Sequence, residues 1–388
     1  MKNVLMVFGG MSYEHEISIV TASQIYNKTM IDDVKIIPLY LTVDNAFYVY
    51  NSKKFDIADF SKNKLDLTSK KFKEVRFVSG EKRKLFEKTR FGLKEYIQIE
   101  NIIFACHGGV GENGELVSYF KNLGFKVGAG SFDALAICMN KFLFKQVMKG
   151  LKIPVVSGFK ITKIDFENGF ESCLTKIKFL KFPVVIKSNS GGSSIGLFVV
   201  NTRKEFSKTI KDAFEFDEEV LIEEYKENTR EFNVAVIGSG KSYIVSEIDE
   251  PIKENDILTF ADKYLSQDGK GFKKNPCKGA MSSSLRNFPA KIDNDLKLKI
   301  QGIARKIFCN LNLSGVVRID FLYQAEKGKL YVCEVNAIPG SLAYYFFDEN
   351  LVSCNDLVKK LIDVSEINYQ KNLVIKPEYF TNILEWNL

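Results

Sequence analysis

Arg318-Ile319-Asp320-Phe321 and Cys333-Glu334-Val335-Asn336 are two short runs in which apolar and polar residues alternate, with Ala325-Glu326-Lys327-Gly328 between them. Alternation with a period of two marks a strand. Arg318 and Asp320 therefore share one face of the first strand, and Glu334 and Asn336 share one face of the second. A hairpin turning near Lys327 sets Asp320 opposite Glu334 and Arg318 opposite Asn336. Two carboxylates and an amide oxygen are ligands that Mg²⁺ takes while it keeps waters and bridges the phosphates of a nucleotide, and here a guanidinium stands beside them. The same alternation also describes a solvated surface pair, which contributes under ~1 kcal/mol. The sequel favours the metal: Ala337-Ile338-Pro339-Gly340-Ser341 is a Pro-Gly turn that brings backbone N–H groups next to the polar face.

A chain of 388 residues is too long for one compact core and fits two or three domains. No apolar run approaches the length that spans a bilayer, and Val4–Phe8 is too short for a signal-peptide core and runs into Gly9-Gly10, so it reads as a buried first strand. The expected compartment is the cytoplasm, with no membrane partner. Seven cysteines with no C-x-x-C pair fit reduced thiols, and the two histidines, His15 and His107, leave little scope for a histidine-based metal centre. The net charge of +7 comes from lysines interleaved with Asp and Glu, without a recognition-helix or RNP-like pattern. That is a solvated surface suited to anionic substrates, and nucleic acid is not expected as a partner.

The first part reads strand (3–8), glycine turn, helix (14–27), strand (34–41), then a strand at 101–106 ending in His107-Gly108-Gly109 and a helix at 114–123. Such alternation predicts a mostly parallel, Rossmann-like sheet covered on both faces, with ligands at the strand C-termini. Residues 44–93 read as a poorly patterned insertion. Helical spacing runs from Ala134 to Leu151 and stops at Ile153-Pro154. Strands at 182–187, 195–200, 219–224 and 231–237 give a small α+β unit. A strand at 242–250, a long loop at 253–289 with the character of a lid, and a helix at 293–311 precede the hairpin. The expected domains are 1–130, 131–230 and 231–388.

Lys187-Ser188-Asn189-Ser190-Gly191-Gly192-Ser193-Ser194-Ile195-Gly196 lies between two apolar strands. Small residues let backbone N–H groups approach phosphate oxygens, and the lysine adds a point charge. It lacks the G-K-[ST] ending of a Walker loop and is followed by a strand, so it reads as a hairpin flap over phosphates; a hairpin with no ligand is the alternative. Glu223, Glu224 and Glu231 stand where an adenosine's amino and hydroxyl groups could donate to them, although surface solvation explains single glutamates equally well. Lys141 and Lys145, four apart on one helix face, read as an ordinary basic face.

In this order the pieces resemble the ATP-grasp enzymes, and more closely the D-alanine–D-alanine ligases, over nearly the whole chain apart from the insertion and the last twenty or so residues. The resemblance is carried by Gly9-Gly10-Met11-Ser12-Tyr13-Glu14-His15-Glu16-Ile17-Ser18, His107-Gly108-Gly109-Val110-Gly111-Glu112-Asn113-Gly114, Asn140-Lys141, Lys187 with Gly191–Gly196, Lys263-Tyr264-Leu265, and Arg318–Phe321 with Glu334–Gly340. It implies a three-domain ATP-grasp architecture, α/β and α+β, and an ATP-dependent ligase that phosphorylates one D-alanine and joins it to a second for peptidoglycan precursors. It also implies two Mg²⁺ ions, or Mn²⁺ in their place, on Asp320, Glu334 and Asn336. Arg318 and the Gly340 N–H are implied as the oxyanion hole, Glu14 as the partner of the first D-alanine's ammonium, and His107 as its neighbour. Lys141, Lys187, Gly192, Ser193 and Ser194 are implied at the ATP phosphates, Glu223, Glu224 and Glu231 at the adenosine, and Lys263 and Tyr264 on the lid. Family members are commonly homodimers.

Two positions depart from the family pattern. Cys138 stands where a serine usually links the lid tyrosine to the first-loop glutamate, so a weaker Glu14–Cys138–Tyr264 link is expected. Tyr345 stands in register with a serine that holds the second substrate's carboxylate, with Ser341 and Tyr344 as nearby alternatives. The alternatives to the implied activity are a D-Ala–D-Ser or D-Ala–D-Lac ligase, or a catalytically weakened ATP-binding homologue; Tyr264 favours an amine acceptor.

Overall fold

Val4 to Phe8 are fully buried, the signature of a strand covered on both faces, and they form an interior strand of the first sheet. A computed structural model describes residues 1–169, 181–252, 286–347 and 352–374, with positions 171, 175, 176 and 178. The expected Lys263 and Tyr264, and residues 253–285 of the lid, lie outside the described residues. The first sheet contains β1 (Lys2–Gly9), β2 (Val34–Leu41), β3 (Phe47–Tyr50), β4 (Phe72–Arg76), β5 (Lys84–Thr89), β6 (Gly92–Gln98), β7 (Asn101–Phe104) and β8 (Lys126–Val127), in the order β6-β5-β4-β3-β2-β1-β7-β8. The parallel part, β2-β1-β7-β8, is the sheet expected from the strand–helix alternation. The supposed unpatterned insertion is instead four antiparallel strands that widen it. Phe8, Tyr40, Tyr50, Phe55, Phe60 and Phe72 pack ring against ring beneath them.

Gly9 ends β1 at φ +90°, and a Cβ there would lie 2.2 Å from the Leu41 carbonyl oxygen, so the turn requires glycine. The chain then enters helix His15–Lys28, whose Ser18 hydroxyl accepts from the Gly9 N–H (2.6 Å) and donates to the Ala105 carbonyl (2.9 Å). Strand, helix and the loop after β7 are thereby fixed together.

The helical stretch read at Ala134–Leu151 is two helices, Phe132–Met139 and Lys141–Gly150. Asn140 separates them. Its backbone is extended and its side chain accepts from the Leu143 N–H at 2.9 Å, the N-cap role asparagine prefers over a helix interior. Asn189 fixes the same helix end, taking the Lys141 N–H on its carbonyl (3.0 Å) and the Phe142 N–H on its side chain (2.9 Å).

The second sheet is antiparallel: β9 (Gly158–Thr162), β10 (Val184–Ser188), β11 (Phe198–Val200) and β12 (Glu219–Glu224), in the order β11-β10-β12-β9. The third has β13 (Thr229–Ser239), β14 (Ser242–Pro251), β15 (Arg286–Asn287), β16 (Ser314–Gln324) and β17 (Lys329–Asn336), in the order β15-β14-β13-β16-β17. Helix Asn294–Asn310 covers it, with Asp293 accepting from the Leu296 N–H at 2.8 Å as its N-cap. A last helix, Cys354–Leu373, starts from a Ser353/Asp356 capping box and packs back across β7, β8 and β13. No described helix is long and apolar enough to cross a membrane, and the five described cysteines are free.

Candidate active site

The hairpin read from the sequence has the expected register. Asp320 pairs with Glu334 and Arg318 with Asn336 across β16 and β17, and the turn is a short 3-10 segment, Ala325–Lys327, closed by Gly328 in the left-handed region. Arg318 forks onto Asp320, Nε to Oδ1 and Nη2 to Oδ2, both at 2.7 Å, as residues two apart on one strand face can. Asn336 donates to the same carboxylate at 3.0 Å, and Asn233, with its amide nitrogen turned toward it, at 3.1 Å. Neighbouring β14, β13, β16 and β17 set Asp249, Asn233, Asp320 and Glu334 in one row across the sheet.

The donor set suits a divalent cation. Burial pushes the Asp320 carboxyl upward and Arg318 opposes it, while Glu334 and Glu231 add repulsion that a cation would relieve. Among the described residues no three His, Cys, Asp or Glu side chains form a metal cluster, which leaves the two carboxylates and an amide as the candidate.

A cleft opens above this row. Lys141, Lys187, Gly191–Ser194, Glu223, Glu224, Glu231, Asp320 and Glu334 line its polar side, so the structure brings together most of the residues expected at ATP. Val156, Val185, Ile195, Leu197, Leu322 and Cys333 form an apolar sleeve within it, with Ser188, Tyr225, Lys226 and Thr229 completing the lining. Lys141 is buried and donates to the Gly191 carbonyl, and burial lowers its pKa.

Lys145 overturns the expectation of an ordinary basic face. It is 2% exposed and ion-paired to Glu223, which also holds Lys187 at 2.6 Å. Burial would raise the Glu223 carboxyl, but the two ammonium groups outweigh it and hold it at about 2. Glu223 therefore anchors two lysines where an adenosine contact was expected. Glu224, more exposed, pairs with Lys226 at 2.7 Å.

The lid end of the link expected through Cys138, Tyr264, lies outside the described residues. Glu14 accepts a hydrogen bond from the Ser193 hydroxyl, joining the first glycine loop to the flap. The Cys138 thiol is buried on helix Phe132–Met139, and the carboxylate bearing on it is that of Glu112. Glu14 is free to reach the flap because, as the residue preceding helix His15–Lys28, it makes no side-chain cap.

His107 is buried at the end of the strand and loop following β7. The Ile338 carbonyl can only accept, so His107 Nδ1–H donates to it (2.7 Å) and Nε2 accepts from the Thr21 hydroxyl (2.7 Å). Thr21 in turn accepts the Ser341 N–H at 3.0 Å, and burial lowers the His107 pKa, in keeping with a neutral ring. Glu112 accepts from the Gly108 N–H (3.0 Å) and the Ile338 N–H (3.2 Å), so it too ties the first-domain loop to the turn beginning at Gly340. Burial, with Glu14 nearby, raises its carboxyl to about 7.

The turn Gly340–Phe346 carries Ser341, Leu342 and Ala343 at φ near +50°. The Ser341 hydroxyl, one alternative for a substrate carboxylate, is engaged in donating to Gln24 at 2.5 Å, whereas the Tyr344 hydroxyl accepts from Lys28 at 2.5 Å and can still donate its own O–H. Tyr345 is covered by Arg286, whose guanidinium lies 4.6 Å from its ring centre and donates to its carbonyl at 3.3 Å.

A small antiparallel sheet and a larger one meeting at a cleft, with a glycine–serine flap from one and an acidic hairpin from the other, define an ATP-grasp fold. Comparison with known proteins narrows the class. Residues 3–129 match the family model D-ala D-ala ligase N-terminus, and residues 147–363 match D-ala D-ala ligase C-terminus. The D-alanine–D-alanine ligase of Thermosipho melanesiensis is 33% identical over 385 residues, 99% of each chain, and that of Staphylococcus carnosus 28% over 379 residues, 96% of this chain and 98% of that one. Among solved structures, the VanG D-Ala:D-Ser ligase from Enterococcus faecalis aligns with TM-score 0.76 at 26% identity, covering 94% of this chain and 99% of its own. The D-alanine–D-alanine ligase from Coxiella burnetii shares the fold, with TM-score 0.77 at 22% identity over 96% of each chain. The chain belongs to the D-alanine–D-alanine ligase family.

Proposed function

We propose that this protein joins two D-alanines at the expense of ATP, through a D-alanyl phosphate, for peptidoglycan precursor synthesis in the cytoplasm, acting as a homodimer. The observation that carries the reading is the single cleft holding Lys141, Lys187 and the flap Gly191–Ser194 over the Asp320–Glu334 row, with Arg318 beside it. Lys141 and Lys187 hold the phosphates, the apolar sleeve takes the adenine, and Glu231 receives the ribose. Glu14, oriented by Ser193, holds the first D-alanine's ammonium, and neutral His107 lies beside that substrate without adding charge. Asp320, Glu334 and Asn336 would hold Mg²⁺ or Mn²⁺, which supplies charge neutralisation at the transferring phosphoryl group. The carboxylate of the first D-alanine accepts the γ-phosphoryl group. The amine of the second then attacks the acyl carbon, and Arg318 with the Gly340 N–H stabilises the oxyanion before phosphate leaves. The fork from Arg318 to Asp320, which keeps the guanidinium next to the acidic row, supports this role.

Incubation with D-alanine, ATP and Mg²⁺ is expected to release phosphate in proportion to D-Ala-D-Ala. The likeness to a D-Ala:D-Ser ligase makes D-serine the second acceptor to test, with D-lactate as a third. Dipeptide formed only with another acceptor would reassign the second substrate, and ATP binding without product would leave a weakened homologue.

A further inference from the structure

Three residues in a row after Gly340 stand in the left-handed region: Ser341 at φ +54°, Leu342 at +49° and Ala343 at +51°. A single non-glycine residue there is uncommon, and a run of three persists only where the surroundings hold it. Inside the turn the Leu342 N–H reaches the Pro339 carbonyl at 2.8 Å. The outside support comes from helix His15–Lys28, which packs against it.

Thr21, Gln24 and Lys28 follow one another at three and four residues, so they share one face of that helix. Thr21 Oγ1 accepts the Ser341 N–H at 3.0 Å, and Gln24 Oε1 accepts the Ser341 hydroxyl at 2.5 Å. The residue next to Gly340 is thus tethered by main chain and side chain together. Lys28 adds a third tie, to the Tyr344 hydroxyl at 2.5 Å. Thr21, Gln24 and Ser341 are all buried, so loss of one partner leaves the other unsatisfied away from water.

Thr21 also reaches the turn from its other end. Its hydroxyl donates to His107 Nε2 at 2.7 Å, and His107 Nδ1–H donates to the Ile338 carbonyl at 2.7 Å. One side chain therefore clamps both flanks of Pro339-Gly340. An oxyanion donor is effective only when it is already aimed at the place where charge develops, and that aim is set by the shell behind it.

We propose that Thr21, assisted by Gln24, is a positioning residue for the second step of the reaction, holding the left-handed turn so that the Gly340 N–H points at the oxyanion formed when the acceptor amine attacks. The inference rests on the ligase reading and on the Gly340 N–H role within it. Transfer of the phosphoryl group to the first D-alanine draws no new charge onto the acyl oxygen, so that step is insensitive to the clamp. Only attack by the second amine feels it.

The test uses the whole enzyme with ATP carrying ¹⁸O in the β,γ-bridge. Reversible D-alanyl phosphate formation scrambles the label into the nonbridging β-oxygens, and dipeptide is measured alongside. Thr21→Val keeps the shape and removes the hydroxyl. It is expected to lower kcat about 10- to 100-fold, as a small misplacement of a transition-state donor does, and to raise the ratio of scrambling to dipeptide by about the same factor. The KM values for ATP and donor D-alanine stay within about threefold, and Thr21→Ser, which restores the hydroxyl, returns kcat and ratio to within about threefold of native. Gln24→Met falls between. Ser23→Ala deletes an equally buried hydroxyl of the same helix, one that meets Phe55 and Asn27 instead of the turn, and keeps the native ratio.

A native kcat in Thr21→Val overturns this inference alone. A lower kcat with the ratio unmoved assigns Thr21 a purely structural role and overturns it too, as does an equal rise of the ratio in Ser23→Ala. A native enzyme that makes no dipeptide from D-alanine overturns the ligase reading instead. Should Thr21→Val fail to fold, Gln24→Met carries the test, and a native ratio in that variant overturns the inference.

Discussion

Replacing Glu223 with glutamine is the sharpest test of how the nucleotide cleft is held together. Glu223, Lys145 and Lys187 have side-chain exposures of 7%, 2% and 9%, so the substitution strands two ammonium groups out of water with their shared counter-charge gone. Breaking a buried pair in this way costs about 3–5 kcal/mol. The expected fall in Tm is roughly 4–6 °C, read by circular dichroism at neutral pH. ATP restores only part of it, because its phosphates can neutralise Lys187 while Lys145 remains behind Glu223. The second change Lys145→Met removes one stranded charge, so the double variant is expected to regain more than about 1 kcal/mol over Glu223→Gln. The pH dependence has a fixed sign. With the folded carboxyl at about 2 and an ordinary value of 4.5, the pair's stabilisation is complete above pH 4.5 and disappears as pH falls toward 2. The gap between native and Glu223→Gln proteins is therefore expected to close on acidification. A Glu223→Gln protein within about 0.5 kcal/mol of native at pH 7, or a double variant no more stable than the single one, refutes the reasoning.

Ser193→Ala removes a charge-assisted hydrogen bond to Glu14 and is expected to lower kcat/KM for donor D-alanine by about 10- to 100-fold, whereas Cys138→Ala leaves it within about twofold; phosphate release measures both. Asn140→Ala deletes the cap between two helices, and denaturant unfolding should show a loss of about 1 kcal/mol. Glu112 gives the opposite pH sign to Glu223: its folded carboxyl is raised to about 7, so the folded state holds the extra proton and stability declines as pH rises from 4.5 through 7. Tm profiles from pH 5 to 8 should show that decline in the native protein and a flatter line for Glu112→Gln, even though glutamine lowers the absolute Tm by facing an N–H donor with an amide.

The acidic hairpin was legible because its polar residues keep a strict period of two around an evident turn, which fixes register as well as existence. Strands β2 and β12 emerge with the bounds their patterns predict. The helix break at Asn140 was hidden by apolar spacing that continues through it, although asparagine was the available signal. Strands β3 to β6 escaped because they are short, carry Lys–Glu pairs such as Lys73–Glu87 on their open face, and bury aromatic residues at irregular intervals. Helix Cys354–Leu373 had a readable start in Ser353-x-x-Asp356. The Ser193–Glu14 link was beyond local pattern, since it joins loops 179 positions apart. Lys145 misled for a different reason: a lysine four residues from another looks solvated unless its buried partner, Glu223 on a distant strand, is known.

That final helix has a bearing on how the chain matures on the ribosome. The side of β7 and β8 that it covers includes Asn101, fully buried, whose amide reaches Ser365 and Glu366. During synthesis Val127 emerges long before Cys354, by roughly ten to fifty seconds at ordinary elongation rates, and through that interval the opening sheet has an apolar flank with nothing over it. The protease resistance of the nascent N-terminal portion should therefore appear only once helix Cys354–Leu373 has left the exit tunnel.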